Sequence, residues 1–191
     1  MWVKGNRFSI EDFVDDKALA AEMRGGSMTI FRLAPQDYHR FHWPVSGKLL
    51  SSRRVHGKYY TVNPIAVNHE KVNVYTENKR VVNVVQSPAL GKVVFVNIGA
   101  TAVGSIKQLH KPGAEFTKGD CFGYFQFGKS RTCHAQAQCG SVPKSVLLAG
   151  GSTCIMLTQK GRLEFDEDAL ETAVTGVELL VQMGQQIGKT K

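Results

Sequence analysis

Gly151-Ser152-Thr153 contains a step that can cut its own backbone. A serine hydroxyl that attacks the carbonyl carbon of the preceding glycine turns the amide into an ester. β-Elimination of that ester breaks the chain and leaves a pyruvoyl group where the serine stood. Such a ketone is an electrophile that no ordinary side chain supplies. An unactivated serine is a poor nucleophile, so a base must take its proton. Asp37-Tyr38-His39-Arg40-Phe41-His42-Trp43-Pro44 offers two candidates, His39 and His42, which titrate near neutrality when unperturbed. By itself Gly-Ser-Thr is an ordinary turn sequence. The second such step, Gly26-Ser27, reads as a helix stop followed by a strand start.

Those groups must be held by a scaffold, and the scaffold reads as mainly β. Ser9-Ile10-Glu11-Asp12 has the form of a helix N-cap, and Phe13, Leu19, Ala20 and Met23 continue one helical period up to Gly25-Gly26. Beyond it, residues 29–33, 72–76, 81–85, 93–98 and 122–127 read as strands, being β-branched or aromatic and bounded by turn formers. Unbroken apolar runs among them imply strands buried on both faces, as in a barrel or sandwich. On a strand, positions 39 and 42 face opposite sides, so aiming both inward requires a bend at Pro44 or an irregular segment. Gly119-x-x-x-Gly123 echoes Gly184-x-x-x-Gly188, as if two related β-turns packed together.

Composition narrows the partners. The 191 residues form one domain by length, with 42% hydrophobic content and no apolar run long enough to span a bilayer. No signal-peptide pattern opens the chain, so the expected location is intracellular, either cytosolic or peripheral on a membrane. A formal charge of +8 suits an anionic membrane surface or metabolite, and no nucleic-acid motif accompanies it. Cys121, Cys133, Cys139 and Cys154 lack zinc-site spacing and read as free thiols, so no metal is expected. His56, His69, His110 and His134 read as ordinary surface or core histidines. Lys118 and Asp120 read equally as site residues or as a solvated turn.

Taken together the motifs resemble the phosphatidylserine decarboxylase family. The resemblance runs through Trp2-Val3-Lys4-Gly5, Phe31-Arg32-Leu33-Ala34-Pro35-Gln36-Asp37-Tyr38-His39-Arg40-Phe41-His42 and Tyr60-Thr61-Val62-Asn63-Pro64. It continues through Glu77-Asn78-Lys79-Arg80, Asn97-Ile98-Gly99-Ala100-Thr101-Ala102-Val103-Gly104-Ser105-Ile106, Lys118-Gly119-Asp120, Phe122-Gly123-Tyr124-Phe125 and Gly151-Ser152-Thr153. It implies a pyruvoyl cofactor made from Ser152 by cleavage between Gly151 and Ser152, with fragments 1–151 and 152–191 as the subunits. The pyruvoyl group would take up the substrate amine and serve as electron sink while carbon dioxide leaves. His42 is implied as the base, coupled to an acidic partner, and His39 as a residue that contacts substrate or helps reprotonate the product. The implied reaction converts phosphatidylserine to phosphatidylethanolamine.

Two departures from the family pattern stand out. The family's aspartate upstream of Trp-Val-Lys-Gly has no counterpart, as in an N-terminally truncated copy. Residues 129–150 intervene where the family runs straight from its aromatic strand into Gly-Gly-Ser-Thr; this loop reads as a translated intron, since Gly128-Lys129-Ser130 and Ala149-Gly150 can be encoded by splice-site-like strings. The alternatives to a lipid decarboxylase are therefore a pyruvoyl enzyme acting on a free amino acid and an inactive truncated pseudoenzyme.

Overall fold

The computed structural model describes residues 2–3, 6–7, 9–34, 37–62, 67, 72–101, 105–126, 152–175 and 178–191. The insertion at 129–150, Gly151, His69 and His134 lie outside them. A two-stranded hairpin, β1 (Trp2–Val3) and β2 (Asn6–Arg7), leads into helices α1 (Ile10–Val14) and α2 (Lys17–Glu22). Then come β3 (Ser27–Leu33), β4 (Arg40–His42), β5 (Gly47–Val55), α3 (Val74–Glu77), β6 (Arg80–Ser87) and β7 (Gly91–Ile98). β8 (Ser105–Gln108), β9 (Glu115–Phe116), β10 (Cys121–Gln126), β11 (Ser152–Thr158), β12 (Leu163–Phe165), α4 (Glu167–Thr175) and β13 (Gly188–Thr190) complete the chain. The fold is mainly β, as the residue pattern predicts.

Six strands form an antiparallel sheet in the order β3-β11-β7-β6-β5-β9, and β4-β10-β8 form a second. Strand alternation sends successive side chains to opposite faces. One face of the large sheet (Val82, Val94, Val96, Ile98, Ile155, Leu157) packs on Phe13, Val14, Leu19 and Met23 of the N-terminal helical region and on Val74 and Tyr75. The other (Val81, Val85, Val93, Phe95, Cys154, Met156) packs on Phe41, Trp43, Ile106, Phe122 and Phe125 of the small sheet and its flanks. Both faces being covered explains the unbroken apolar runs; β11 is buried along its whole length. No helix among the described residues is long and apolar enough to cross a membrane.

Several local readings need correction. The single expected N-terminal helix is two, broken at Asp15, whose φ of 54° is left-handed. The Ser9 cap is present, since its hydroxyl accepts from the Asp12 N–H at 2.9 Å. Asp16 then caps α2, accepting from the Leu19 N–H at 2.9 Å. The carbonyls freed at the break are taken by arginines remote in sequence. Arg53 donates to Val14 O and Asp15 O, and the buried Arg80 donates to Asp12 O and Phe13 O. Periodicity alone does not reveal those partners.

Residues 72–76 are not a strand. Val74 and Tyr75, adjacent in sequence, are both buried in the same helix-side core, which strand alternation forbids. The Glu77 carboxylate also accepts from the Asn73 N–H at 3.2 Å, tying the last residue of the turn to its first. β5 went unread because Ser51-Ser52-Arg53-Arg54 looks polar and a bulge follows Leu49. The two glycine echoes hold as turns: Gly119 and Gly184 have φ of 94° and 90°, each one residue before a closing hydrogen bond (Asp120 N–H to Thr117 O, Gln185 N–H to Gln182 O). They do not form one packed pair of hairpins, because Gly123 is in β10 and Gly188 in β13, which belong to different sheets.

Gly123 sits where no side chain fits. A Cβ there would run into the Phe41 ring and the Lys107 carbonyl. Gly123→Ala is therefore expected to destabilise the fold by about 1–3 kcal/mol through overpacking. Denaturant titration checks this, and an unchanged midpoint would refute it.

Candidate functional site

Ser152 is the first residue of β11, paired with Leu33 of β3, and fully buried. It shares a strand face with Cys154 and Met156, two and four residues on. Those two belong to the core against the small sheet, so Ser152 is directed to the interlayer on that side. Its hydroxyl has no hydrogen-bond partner among the described residues. A buried, unsatisfied hydroxyl costs on the order of 1–3 kcal/mol, and such groups concentrate where chemistry needs them.

His42 closes β4, opposite Cys121 of β10, at a register irregularity between Cys121 and Gly123. Its Nδ1–H donates to the Gly119 carbonyl at 2.7 Å. That fixes the tautomer and leaves the Nε2 lone pair as proton acceptor. The Tyr38 hydroxyl, 3.2 Å away, donates to it, and the Tyr38 ring stacks on the imidazole with centroids 5.8 Å apart.

His39 precedes β4 in irregular backbone, and a bend follows at Pro44. Its Nδ1–H donates to the Asp37 carbonyl at 2.6 Å, and its ring meets the edge of Phe125 at 6.3 Å. Burial pushes the His39 imidazole below its ordinary value, opposed by the Asp37 carbonyl. The unfolded imidazole, near 6.5, therefore binds its proton more tightly than the folded one. The stability this neutral ring contributes is complete above about pH 6.5 and is lost as pH falls from there toward the lower folded value. Wild type should lose more stability than His39→Gln between about pH 7 and pH 5; parallel denaturation curves would contradict this.

The two histidines thus have separate partners, His42 on Tyr38 and Gly119, His39 on Asp37 and Phe125. No hydrogen bond joins either to Ser152 among the described residues. What links the three is topology. β11 lies beside β3, and the chain runs from Leu33 of β3 through Asp37, whose carboxylate accepts from the Ala34 N–H at 2.7 Å, to His39. Phe125, against His39, is part of the core that Cys154 and Met156 enter.

Residue typing does not single out three further features. Tyr38 hydrogen-bonds Nε2 of His42, and its four-residue spacing from His42 is the one signal the sequence offers. Gly119 acts through a backbone carbonyl, which carries no side-chain signature. Beneath β11 runs a buried polar chain: Asn97 donates to Cys154 Sγ at 3.3 Å, Asn83 to Asn97 Oδ1 at 3.1 Å, and Gln108 to Asn83 Oδ1. Ser52 Oγ lies 2.9 Å from Asn83 Oδ1 and 2.6 Å from Gln108 Oε1. Burial pushes the Cys154 thiol up to about 12, so it stays protonated as a neutral core group.

Other quoted residues resolve into structure. His110 accepts the Trp43 indole N–H at 2.9 Å. Asp120 closes its turn by accepting from the Thr117 N–H at 2.7 Å. Asn78 is fully buried and ties Tyr60 to Gly99. A cavity of about 360 Å³ lies between β3 and α4. It is lined by Met28, Ile30, Tyr75, Leu170 and Ile187, and by neither histidine nor Ser152.

Comparison with known proteins points to the family that the motifs resemble. The family model described as phosphatidylserine decarboxylase matches residues 1–136. A phosphatidylserine decarboxylase proenzyme 2 of Oryza sativa subsp. japonica is 45% identical over 188 residues, 98% of this chain and 27% of that protein. Phosphatidylserine decarboxylase proenzymes of Fusobacterium nucleatum and Clostridium perfringens are 34% and 37% identical, covering 100% and 97% of this chain and 56% and 55% of theirs. The chain thus spans about half the length of the bacterial relatives and about a quarter of the rice one. With a family model matching well over half its length, this chain belongs to the phosphatidylserine decarboxylase family.

Proposed function

We propose that this chain is a self-processing decarboxylase domain that cuts itself between Gly151 and Ser152 and acts on phosphatidylserine. The observation that carries this reading is the buried Ser152 hydroxyl at the head of β11, without a hydrogen-bond partner among the described residues and facing the layer that holds His39 and His42. Ser152 Oγ bonds to the Gly151 carbonyl carbon as the peptide C–N bond breaks. Loss of the Ser152 Cα proton then expels the Gly151 carboxylate, and water releases the serine nitrogen as ammonia. An orphaned hydroxyl in a dry site fits a pyruvoyl precursor, because nothing must be broken to free it. Once formed, the pyruvoyl group supplies an electron sink for the pair left behind when carbon dioxide departs.

The remaining work falls to the protein. His42, held as the Nδ1–H tautomer by the Gly119 carbonyl, accepts the serine proton at Nε2. The Tyr38 hydroxyl must first give up that lone pair, so Tyr38 serves as the gate on the base. His39, kept neutral by burial, can accept or return a proton at the product carbon without carrying a standing charge.

Cleavage would leave the fold intact. β11 is flanked along its length by β3 (Ser152↔Leu33 to Thr158↔Ser27) and by β7 (Thr153↔Ile98 to Thr158↔Val93). Fragments 1–151 and 152–191 would therefore remain one particle. The net charge of +8 favours approach to an anionic bilayer.

Intact mass under denaturing conditions tests the proposal. Two fragments split at Gly151-Ser152, the smaller with a pyruvoyl end, together with a single particle under native conditions, are expected. One uncut species at 21.0 kDa would overturn it. Release of carbon dioxide from phosphatidylserine vesicles, but not from free serine, then assigns the substrate.

A further inference from the structure

A second feature lies away from Ser152. Arg54 of β5, Lys79 just before β6, and Ser105 and Lys107 of β8 line a small cavity of about 40 Å³, floored by the buried Val81 and Ile106. Three cationic side chains from three separate segments meet here. No acidic side chain pairs with any of them among the described residues. The surrounding charges elsewhere do find partners: Arg53 pairs with Asp15, and Lys58 with Glu77 at 3.0 Å. Lys79 is held in place, its ammonium donating to the Tyr59 hydroxyl at 3.1 Å and lying over the Tyr59 ring at 5.7 Å. Three cations lining one cavity, with no acidic side chain beside them among the described residues, leave an anion as the complementary ligand.

We infer that Arg54, Lys79, Lys107 and the Ser105 hydroxyl form a binding site for a phosphate group. The donor set is what a tetrahedral oxyanion takes: a guanidinium for two oxygens, two ammonium groups as point charges and a neutral hydroxyl. The floor is apolar, so the pocket gains nothing from a cation or a neutral polar ligand. A cavity this size admits one or two oxygens, with the rest of the ligand outside. That geometry suits the phosphate of a headgroup or a free phosphate ion.

The register places this site relative to Ser152. Arg54 pairs with Val81, Val81 with Asn97, and Asn97 with Cys154, all in one row across the sheet. Three strand spacings put the Arg54 backbone roughly 14 Å from that of Cys154. Two strands, β6 and β7, therefore separate the strand that carries Arg54 from the strand that carries Ser152. The site does not depend on the proposed cleavage.

The test uses the full chain, the double variant Arg54→Gln/Lys107→Gln, and a charge-matched control, Lys48→Gln/Lys111→Gln, at exposed positions elsewhere. Binding of inorganic phosphate is followed by amide shifts at Ser105 and Lys107. Flotation is measured with phosphatidylcholine vesicles containing or lacking phosphatidic acid. Wild type and control should bind, and the site variant should lose at least tenfold in affinity while unfolding at the same temperature. Loss with both probes, or with free phosphate alone, assigns a free-phosphate site. Loss with acidic vesicles alone assigns a lipid headgroup. Equal binding by variant and control with both probes overturns the inference. Self-cleavage should be the same in all three proteins, so failure here leaves the reading of Ser152 untouched.

Discussion

Ser152→Ala is expected to stay a single chain of 21.0 kDa under denaturing conditions and to lose all decarboxylase activity, yet to be no less stable than other uncut variants. The change removes the hydroxyl that the proposal assigns as nucleophile toward the Gly151 carbonyl. It also removes a fully buried hydroxyl that has no hydrogen-bond partner among the described residues. Deleting an unsatisfied buried polar atom while keeping the Cβ in place returns about 1 kcal/mol or more of desolvation cost. The proper reference is another uncut chain, and His42→Ala supplies it, being expected to slow cleavage by about 10²–10⁴-fold. If Ser152→Ala unfolds more easily than uncut His42→Ala, the hydroxyl makes a stabilising contact and its place in the chemistry must be reconsidered. If Ser152→Ala is still cut at 151–152, the serine is not the nucleophile.

The second large effect is on stability. Arg80→Met is expected to cost about 3–5 kcal/mol, the range for stripping the partner from a buried hydrogen-bonded charge site. The Arg80 guanidinium, 3% exposed, donates to Phe13 O at 2.8 Å, Asp12 O at 2.6 Å, Thr76 O at 2.6 Å and Asn78 O at 3.2 Å. Methionine fills much of the same volume, so the loss isolates the donors rather than the packing. Four carbonyls from α1 and the α3 turn would then lose this donor, two of them at buried contacts. For a chain of this size each kcal/mol moves the midpoint by about 2–4 °C, so Tm should fall by on the order of 10 °C. Arg80→Lys should recover only part of it, because one ammonium cannot reproduce the guanidinium's spread of donors. A loss below about 1 kcal/mol would mean that water reaches these carbonyls.

Arg80 also shows what residue patterns convey and what they do not. It stands in the quoted Glu77-Asn78-Lys79-Arg80 motif, and from order alone that motif could have been a substrate site. The fold makes it structural: Asn78 and Arg80 spend their donors on backbone carbonyls. The same motif's Lys79 points instead to the small cationic cavity. Side-chain parity separates these neighbours, and parity is known only once the register is.

Apolar runs were enough to locate β6 and β7, whose central residues are buried on both faces, while aromatic content marked β10. They were not enough for β5, whose outward positions are serine and arginine, nor for 72–76, where two adjacent buried residues demand a helix. The N-terminal helical period survived a break it could not foresee. Its freed carbonyls are taken by Arg53 and Arg80, nearly forty and nearly seventy residues away.

By itself, then, the sequence determined the mainly β architecture and the family, and it named the groups the proposal builds on: Ser152, His42 and His39. Those follow from local rules, namely hydrophobic alternation, cap spacing and the functional groups each side chain carries. Tertiary structure alone decided that Ser152 is buried with no hydrogen-bond partner among the described residues, that the Gly119 carbonyl holds Nδ1 of His42, and that burial lowers the proton affinity of His39. It alone gathered Arg54, Lys79 and Lys107 around one cavity. Desolvation, proton position and charge proximity depend on residues distant along the chain, and only the folded register brings those within reach.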